Sequence, residues 1–274
     1  MASLRLLAWG RTSFSRYMHG ARLPITARVI IGTSGWHYRH WRGNFYPAEL
    51  TSKQYLSWYI RHFNTVEINN CFYRLPTESS VEAWREATPS EFCFAVKASR
   101  FITHIKRLRE AQDALNIFLE RMEVLRQKLG SVLFQLPPNW HVNLDRLSEF
   151  LALLPHKRHQ FVCEFRDWTW YTPAAFDLLR RYNVALCVHD LHGQLTPSEL
   201  TADFTYIRFH GATGKYQGSY TDGMLTEWAD RICKWVPKLR DIYIYFNNDQ
   251  GGHAVRNALT LESTLHNRSE LRCA

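Results

Sequence analysis

The sequence predicts a single-domain α/β fold, a (β/α)8 barrel of the TIM type, and three observations lead to it. A chain of 274 residues, 46% of them hydrophobic, can bury a large core. Eight short β-rich segments alternate with helical patterns, and no linker interrupts the series. The alternative is a doubly wound open sheet, but no G-x-G-x-x-G motif follows the first strand to favour it.

The eight predicted strands are short runs of β-branched and aromatic residues, most of them bounded by turn residues. They are 28–36, 65–73, 92–99, 131–137, 161–167, 184–190, 204–211 and 241–249.

Amphipathic segments between the strands predict the helices, at 52–63, 79–87, 108–130, 143–154, 172–182, 224–236 and 253–265. Asn143 and Thr172 are typical N-caps, Pro173 suits a first helical position, and Gly130 suits a helix stop. The weakest unit is 191–203, between strands six and seven. It is long enough for a short helix but near the minimum length for a parallel crossover.

The charge of the chain is concentrated near its beginning. The formal net charge is +9, and residues 1–28 contribute five arginines and no acid, which leaves +4 for the remainder. A body of this size with that charge does not by itself indicate nucleic-acid binding. No apolar run approaches the roughly 20 residues of a membrane helix, so no membrane partner is expected. Six cysteines without C-x-x-C spacing favour buried, reduced thiols over disulfides or zinc.

Residues 1–28 have the composition of an organelle transit peptide, because they are rich in arginine, contain serine and lack acids. A start codon placed upstream in a bacterial gene, or a loosely attached basic tail, is the alternative. The predicted organisation is a leader over 1–28, a barrel domain over 29–265 and a tail over 266–274. We expect cytoplasmic localisation, or an organelle if the leader is a transit peptide.

Polar residues collect at the carboxyl ends of the predicted strands, although buried parallel strands should be apolar throughout. Period-two alternation puts several of them on shared faces. They are Glu67 with Asn69, Glu164 with Arg166, Arg208 with His210, Asn247 with Asp249, then Lys97, Gln135, His189 and Asp190. Because the carboxyl ends of barrel strands meet at one mouth, this pattern predicts a functional site there.

Two loops predict anion binding at the same mouth. The exit of strand eight, "FNNDQGGHA", includes Asn248, Gly251 and Gly252 just before a helix, and helix N-termini favour anions. The exit of strand seven carries Lys215, and loops seven and eight of barrels often hold phosphate. The alternative is that the glycine pair only forms a turn and that Lys215 is solvated.

The first loop, "GTSGWHYRHWRGNFYP", interleaves aromatic residues with arginines and histidines. This composition suits stacking on a base or sugar. It equally suits a lid that packs over the barrel mouth, and both interpretations stay open.

The leading hypothesis is an enzyme that binds a phosphorylated or phosphodiester substrate and hydrolyses or rearranges it. Glu67, Glu164 and His210 are the predicted acid–base residues. The predicted substrate and anion ligands are Asn69, Lys97, Gln135, Arg166, Arg208, Lys215, Asn247, Asn248, Asp249, Gly251, Gly252, Trp36 and Tyr73.

Two other classes of function are alternatives. A divalent-metal hydrolase or isomerase would use Glu67, Glu164, Asp190, His210 and Asp249 as ligands. Cations facing the same mouth would repel a metal, so no metal and no other cofactor is predicted. A non-catalytic binder of nucleic acid or nucleotide would use the aromatic and basic first loop.

Seven ordered motifs resemble the YecE-like family, known as domain of unknown function 72. They are "IGTSGWHYRHWRGNFYP", "VEINNCFYRLP", "FAVKASRFITH", "VLFQLPP", "CEFRDWTW", "YIRFHG" and "YFNND…GGHA…NAL", from about Ile31 to about Leu261. The resemblance implies a TIM-type barrel and no particular activity. By analogy with endonuclease IV-like and sugar isomerase barrels, an endonuclease-like or isomerase activity stays among the alternatives. In the family a histidine commonly follows the arginine of "EFR", and here Asp167 stands in its place.

Overall fold

A sheet of eight parallel strands closes on itself into a barrel, as the sequence predicts. The structure is a computed structural model, and it describes residues 27–191, 194–214 and 216–271. The barrel strands are β1 (Arg28–Ser34), β2 (Thr65–Ile68), β3 (Cys93–Lys97), β4 (Leu129–Gln135), β5 (Gln160–Glu164), β6 (Ala185–Leu191), β8 (Phe204–Phe209) and β9 (Asp241–Phe246). Their order is β5-β4-β3-β2-β1-β9-β8-β6, and pairing of β5 with β6 closes the ring.

Seven α-helices surround the barrel in the part of the chain that the structure describes. They are α1 (Tyr55–Tyr59), α2 (Glu78–Glu86), α3 (Gln112–Glu123), α4 (Leu144–Ala152), α5 (Pro173–Arg181), α6 (Asp222–Trp235) and α7 (His253–Leu271). The predicted caps are confirmed, because the side chains of Asn143 and Thr172 accept hydrogen bonds from the backbone of Arg146 and Ala175. No helix of the described residues is long and apolar enough to cross a membrane.

The ends of the chain differ in detail from the predicted boundaries. Arg28 already belongs to β1, and α7 continues through Leu271, well into the segment assigned to a tail. Residues 1–26 of the predicted leader lie outside the described residues. The described cysteines are free thiols, in line with the prediction from their spacing.

The long helix predicted over 108–130 is wrong in extent. Leu108 and Leu125 are buried like helical residues, but both lie in the loops that flank α3. Loop residues that pack on the barrel therefore extended the amphipathic pattern beyond the helix. Gly130 is not a helix stop and lies in β4, where a Cβ atom would stand 2.5 Å from the Cys93 sulfur.

The unit between β6 and β8 contains no helix in its described residues. It contains a two-residue strand, β7 (Gln194–Leu195), which pairs antiparallel with β6, followed by extended chain. The eight residues 196–203 must return from the mouth to the start of β8. Extended chain covers roughly 26 Å over that length and a helix only about 12 Å, so only extended chain can span a barrel strand.

The barrel interior is filled by inward side chains of alternate strand residues. This apolar cluster consists of Ile30, Ala95, Leu133, Val162, Ala185, Cys187, Phe204, Tyr206, Tyr243 and Tyr245. It forms a floor below the carboxyl ends of the strands. A second, larger cluster lies between the barrel and the helices.

Candidate functional site

The inward faces of the strands change from apolar to polar as they approach the mouth. Two residues beyond members of the apolar floor come Lys97, Gln135, Glu164, His189, Arg208 and Asn247. Side chains two residues apart on a strand share a face, so these residues form the next layer of the barrel. Period-two alternation in the sequence identifies this layer.

Arg208 joins two glutamates at the centre of the layer. Its Nη1 donates to Glu164 Oε2 at 2.8 Å and its Nη2 to Glu67 Oε1 at 2.8 Å. The side chain is only 1% exposed. Burial alone would raise the pKa of Glu164, but the guanidinium groups of Arg166 and Arg208 hold that pKa well below its ordinary value. Arg208 therefore bridges the two carboxylates through its terminal nitrogens, while its buried Nε has no hydrogen-bond partner among the described residues.

Two further residues complete this bridge, and neither was among the site residues predicted from the sequence. The Tyr206 hydroxyl donates to Glu67 Oε2 at 2.6 Å. Ser34 lies in register with Glu67, accepts from Arg208 at 3.1 Å and accepts from the Asn69 amide at 2.8 Å. Ser34 holds the last position of β1, which is the signal that could have identified it.

Arg166 covers the outer side of Glu164. Its Nε donates to Glu164 Oε1, and its Nη2 lies 2.9 Å from His210 Nε2. The strands end at Glu164 and Phe209, so Arg166 and His210 belong to the loops that follow. The predicted pairs meet because the chain stays extended for a short distance past each strand.

Burial keeps the imidazoles of His189 and His210 at the mouth neutral. His189 Nε2 lies 3.0 Å from the Phe165 carbonyl oxygen, which only accepts, so Nε2 carries the proton. His189 Nδ1 is then a buried lone pair without a partner among the described residues. His210 Nε2 lies 2.9 Å from Arg166 Nη2 and its Nδ1 lies 3.3 Å from Asn247 Nδ2, so an N–H donor faces each ring nitrogen of His210. Burial lowers both pKa values, that of His189 to about 4.

Lys97 lies in the same layer with its ammonium group unpaired. Its Nζ is 4.0 Å from the centre of the Phe72 ring. Among the described residues it forms no hydrogen bond and no ion pair within 4.0 Å. Burial, followed by the charge of Arg208, lowers the pKa of Lys97 to about 7.

The mouth carries more positive than negative side chains. Burial is the main reason why the pKa of His104 falls to about 4, and the charges of Lys97, Arg100, Arg166 and Arg107 add to it. Arg208 and Arg166 together balance Glu67 and Glu164. The surplus of positive side chains around His104 therefore comes from Lys97, Arg100 and Arg107.

A cavity of about 330 Å³ opens beside Arg166 and His189. Trp168, which is 57% exposed, and Tyr171 form its aromatic side. This volume suits a small molecule. A larger cavity of about 850 Å³ lies at the opposite end of the barrel, around Arg28 and Asp241, where barrel folds do not place their chemistry.

The geometry argues against a divalent metal in this layer. Glu164, His189 and His210 place one donor atom each within 4.8 Å of one another. The Arg166 guanidinium, however, already contacts Glu164 and His210. A cation placed between them would be repelled by Arg166 and by Arg208 beside it, so these residues do not fit a metal as arranged.

The larger ligand set considered from the sequence is not assembled in the structure. Asp190 faces away from the mouth, where it accepts hydrogen bonds from the Tyr220 hydroxyl and the His210 amide. Asp249 lies 3.3 Å from His40 on the first loop. These two carboxylates therefore have partners apart from Glu67 and Glu164.

The first loop packs over the exit of β9. Trp41 is fully buried, and its indole donates to the Asp249 carbonyl oxygen at 2.8 Å. Trp36 is buried edge-to-face against Trp84. These contacts favour the lid interpretation of this loop over a platform that stacks on bases. Tyr73 differs, since it is 75% exposed at the rim.

The loop that follows β9, the eighth strand of the barrel, is held in place by hydrogen bonds. Gly251 and Gly252 have φ values of +60° and +72°, and the Gly252 amide donates to the Asp249 carbonyl at 3.1 Å. The Asn248 amide donates to the Gly218 carbonyl at 2.9 Å and so attaches the preceding loop. The glycine pair thus lies in a turn directly before α7, and its part in anion binding stays a prediction. Lys215 lies outside the described residues.

Gln135, also a predicted ligand, is the last residue of β4. It is half-buried and lies in register with Glu164 across the β4–β5 pair. Its side chain therefore stands beside the carboxylate network.

Comparisons with known proteins agree with one another. The family model described as "Protein of unknown function DUF72" matches residues 30–272. The UPF0759 protein YunF of Bacillus subtilis is 26% identical over 262 residues, which cover 84% of this chain and 92% of YunF. The UPF0759 protein YecE of Escherichia coli is 36% identical over 128 residues, which cover 46% of this chain and 44% of YecE.

Solved structures show the same architecture. A DUF72 family protein of Thermotoga maritima has a TM-score of 0.78 and 28% identity, and the match covers 87% of this chain and 99% of that one. A DUF72 family protein of Enterococcus faecalis has a TM-score of 0.74 and 21% identity, over 87% and 95% of the two chains. At that identity the second match supports the fold alone.

Proposed function

The chain belongs to the family of proteins of unknown function DUF72, and from its barrel mouth we propose an enzyme that binds a small phosphorylated substrate and rearranges or hydrolyses it. The observation that carries this proposal is a cavity of about 330 Å³ at the mouth, lined by Arg166, Asp167 and His189, in which the Arg166 guanidinium can receive an anion. Arg166 and Arg208 balance Glu67 and Glu164, so the surplus positive charge around His104 comes from Lys97, Arg100 and Arg107.

Arg166 is the residue best placed to bind the phosphate. Its side chain lines the cavity, and a guanidinium can bind phosphate through two parallel hydrogen bonds. A phosphate on Arg166 would compete with Glu164 for the same N–H groups. Substrate binding would thus release one oxygen of an ionised carboxylate, which is what a general base requires.

His189 is a second candidate for proton transfer. It lines the cavity and has an unused lone pair on Nδ1, so it can accept a proton from a bound substrate. Glu67 has a different part in this proposal. Its oxygens are taken by Arg208, Ser34 and Tyr206, so it positions the bridge.

Calorimetry with ribose 5-phosphate, ribose and inorganic phosphate tests the proposal. We expect the wild type to bind the phosphorylated sugar and not ribose. Arg166→Ala should weaken binding roughly 10- to 100-fold, the value of hydrogen bonds to a charged group. Arg166→Lys should be intermediate, because it keeps the charge without the planar fork.

Arg158→Ala is the matched control, since Arg158 is an exposed arginine at the opposite end of the barrel. Its binding should equal that of the wild type. The proposal fails if the wild type binds no phosphorylated compound at millimolar concentration. It also fails if Arg166→Ala, shown to be folded by circular dichroism, and Arg158→Ala lose the same affinity.

A further inference from the structure

We infer that Lys97 is a nucleophilic amine, which forms an imine with an aldehyde or ketone group of the substrate. This inference rests on the proposed function, because it takes the barrel mouth to be an active site. It adds the class of substrate, a small phosphorylated carbonyl compound, and the covalent step that this substrate undergoes.

The first support is that Lys97 has no carboxylate to hold it as an ammonium ion. Glu67 and Glu164 are its nearest acidic neighbours in the layer, and Arg208 binds both at 2.8 Å. An ammonium ion in an ion pair has no lone pair to offer. The bridge therefore leaves Lys97 free to lose its proton.

The second support is the surroundings of the amine. One side of Nζ faces the Phe72 ring at 4.0 Å. Burial and the charges of Arg208 and Arg166 disfavour the ammonium form, while the charges of Glu164 and Glu67 and the cation–π contact with Phe72 favour it. Burial is the largest of these effects, and the pKa of Lys97 is about 7. A large fraction of this amine is neutral at neutral pH.

The third support is access. Lys97 is the last residue of β3, half-buried, and it projects into the polar layer at the mouth. Of the groups in that layer it is the primary amine, which is the group that an imine requires.

The covalent step is balanced without a co-reactant. The Nζ lone pair attacks the carbonyl carbon, a C–N bond forms, and the carbonyl π-electrons move to oxygen. A proton passes from nitrogen to that oxygen to give a carbinolamine. A second proton from solvent then lets the C–O bond break, and water leaves. The sum is Lys–NH3⁺ plus O=C giving Lys–NH⁺=C plus H2O, with no oxidation or reduction.

Reductive trapping tests the inference on the full chain. The protein is incubated with D-glyceraldehyde 3-phosphate or with unphosphorylated glycolaldehyde, treated with sodium cyanoborohydride, digested and analysed by mass spectrometry. The reduced adduct is quantified at Lys97 and, in the same digest, at the exposed Lys53. An ordinary exposed lysine has a pKa of about 10.4 and is almost fully protonated at pH 7, so we expect roughly tenfold or more adduct at Lys97.

The pH dependence of labelling, measured in the same way, is a second test of the inference. Labelling of Lys97 should rise between pH 6 and pH 8 and then level off, while that of Lys53 keeps rising. Glu67, Glu164, Arg166, Arg208 and His104 are the ionisable groups that face Lys97. The pKa of Glu164 is lowered, that of Arg208 is raised and that of His104 is about 4, so these three should not change charge in that window. Lys97→Arg should lose the adduct at position 97 and keep that at Lys53.

The outcomes separate the two proposals. If Lys97 is labelled no faster than Lys53 with either probe, the imine inference is wrong, even where calorimetry shows phosphate binding. If Lys97 is labelled preferentially by both probes but no phosphorylated compound binds, the imine stands and the phosphorylated substrate class is wrong. Preferential labelling that is stronger with the phosphorylated probe supports both.

Discussion

Burial at the barrel mouth acts on each ionisable group according to whether that group has a partner. Glu164 has two guanidinium partners, so its pKa is lowered and it stays ionised. His189 has no carboxylate partner, and although His210 Nε2 lies 3.8 Å from Glu164 Oε1, burial outweighs that contact, so burial lowers both pKa values and keeps both imidazoles neutral. Lys97 has cations as neighbours and a pKa of about 7. Of these four residues only Lys97 changes charge near neutral pH, which makes its titration measurable.

Lys97→Met should remove a pH-dependent cost of folding. The folded-state pKa is about 7 and the unfolded one about 10.4, so the unfolded chain binds more protons between these values. Wild-type stability therefore rises with pH across that window, by at most about 1.4 kcal/mol per pH unit. We expect the variant to be more stable than the wild type at pH 7, with a gap that narrows by pH 9. Urea unfolding at pH 7, 8 and 9 measures this difference in the free energy of unfolding.

Lys53→Met, at an exposed site, is the control, and its free energy of unfolding should depend on pH as that of the wild type does. A wild-type pH dependence in Lys97→Met would contradict the argument.

The sequence locates these residues but does not pair them. Period-two alternation identifies Glu67, Glu164 and Arg208 as inward-facing residues at strand ends, and the structure brings them together. Which carboxylate meets which guanidinium depends on the barrel radius and on the relative stagger of distant strands. Tyr206 joins the network through that same stagger, so a single strand read alone gives no reason to select it, whereas Ser34 could have been selected from its place at the end of β1.

At the scale of elements, the described residues of the connection between β6 and β8 contain no helix, and they show how a threonine side chain replaces regular pairing. The Thr201 hydroxyl donates to the Val184 carbonyl at 2.7 Å and accepts from the Leu186 amide at 2.7 Å. One buried backbone group of β6 and one of the residue before it are satisfied in this way. The sequence "TPSEL" suits a helix start, and only the distance to be spanned, which is a property of the closed barrel, rules a helix out.

Thr201→Val should destabilise the fold by about 1–3 kcal/mol, because it leaves a buried amide and a buried carbonyl without partners. Thermal unfolding followed by circular dichroism measures the change. Thr205→Val is the matched control. Thr205 is also a buried threonine, but its hydroxyl has no partner among the described residues, so its removal should be neutral or stabilising. Equal losses of stability in the two variants would show that the change in side-chain volume, and not the loss of hydrogen bonds, causes the destabilisation.

At the scale of the whole molecule, closure of the barrel couples the apolar floor to the polar layer. The Tyr245 hydroxyl lies 2.7 Å from the Thr65 hydroxyl across β1, and Tyr206 on the floor bonds Glu67 in the layer above. The closed fold could be predicted because strand and helix patterns repeat along the chain. The coupling could not, because it depends on side chains far apart in sequence that face each other only after closure.

Gly32→Ala should therefore lower the stability of the whole barrel, which should still unfold in one cooperative transition. A Cβ atom at Gly32 in β1 would stand 2.5 Å from the Thr65 carbonyl oxygen of β2, so the two strands would have to separate. A closed barrel has no free edge to absorb that movement, and we expect a loss of roughly 1–3 kcal/mol or more. Ten tryptophans make fluorescence a probe independent of circular dichroism, and both midpoints should fall together.

Gly223→Ala in α6 is the control for that substitution. The nearest atom to its added Cβ is the Thr221 hydroxyl oxygen at 3.9 Å, and alanine is favoured in a helix, so we expect a gain of about 0.5–1 kcal/mol. A Gly32→Ala variant with wild-type midpoints would show that β1 and β2 separate at little cost. Midpoints that diverge between the two probes would show that β1 and β2 open apart from the rest. In either case the polar layer could not owe its geometry to closure of the ring.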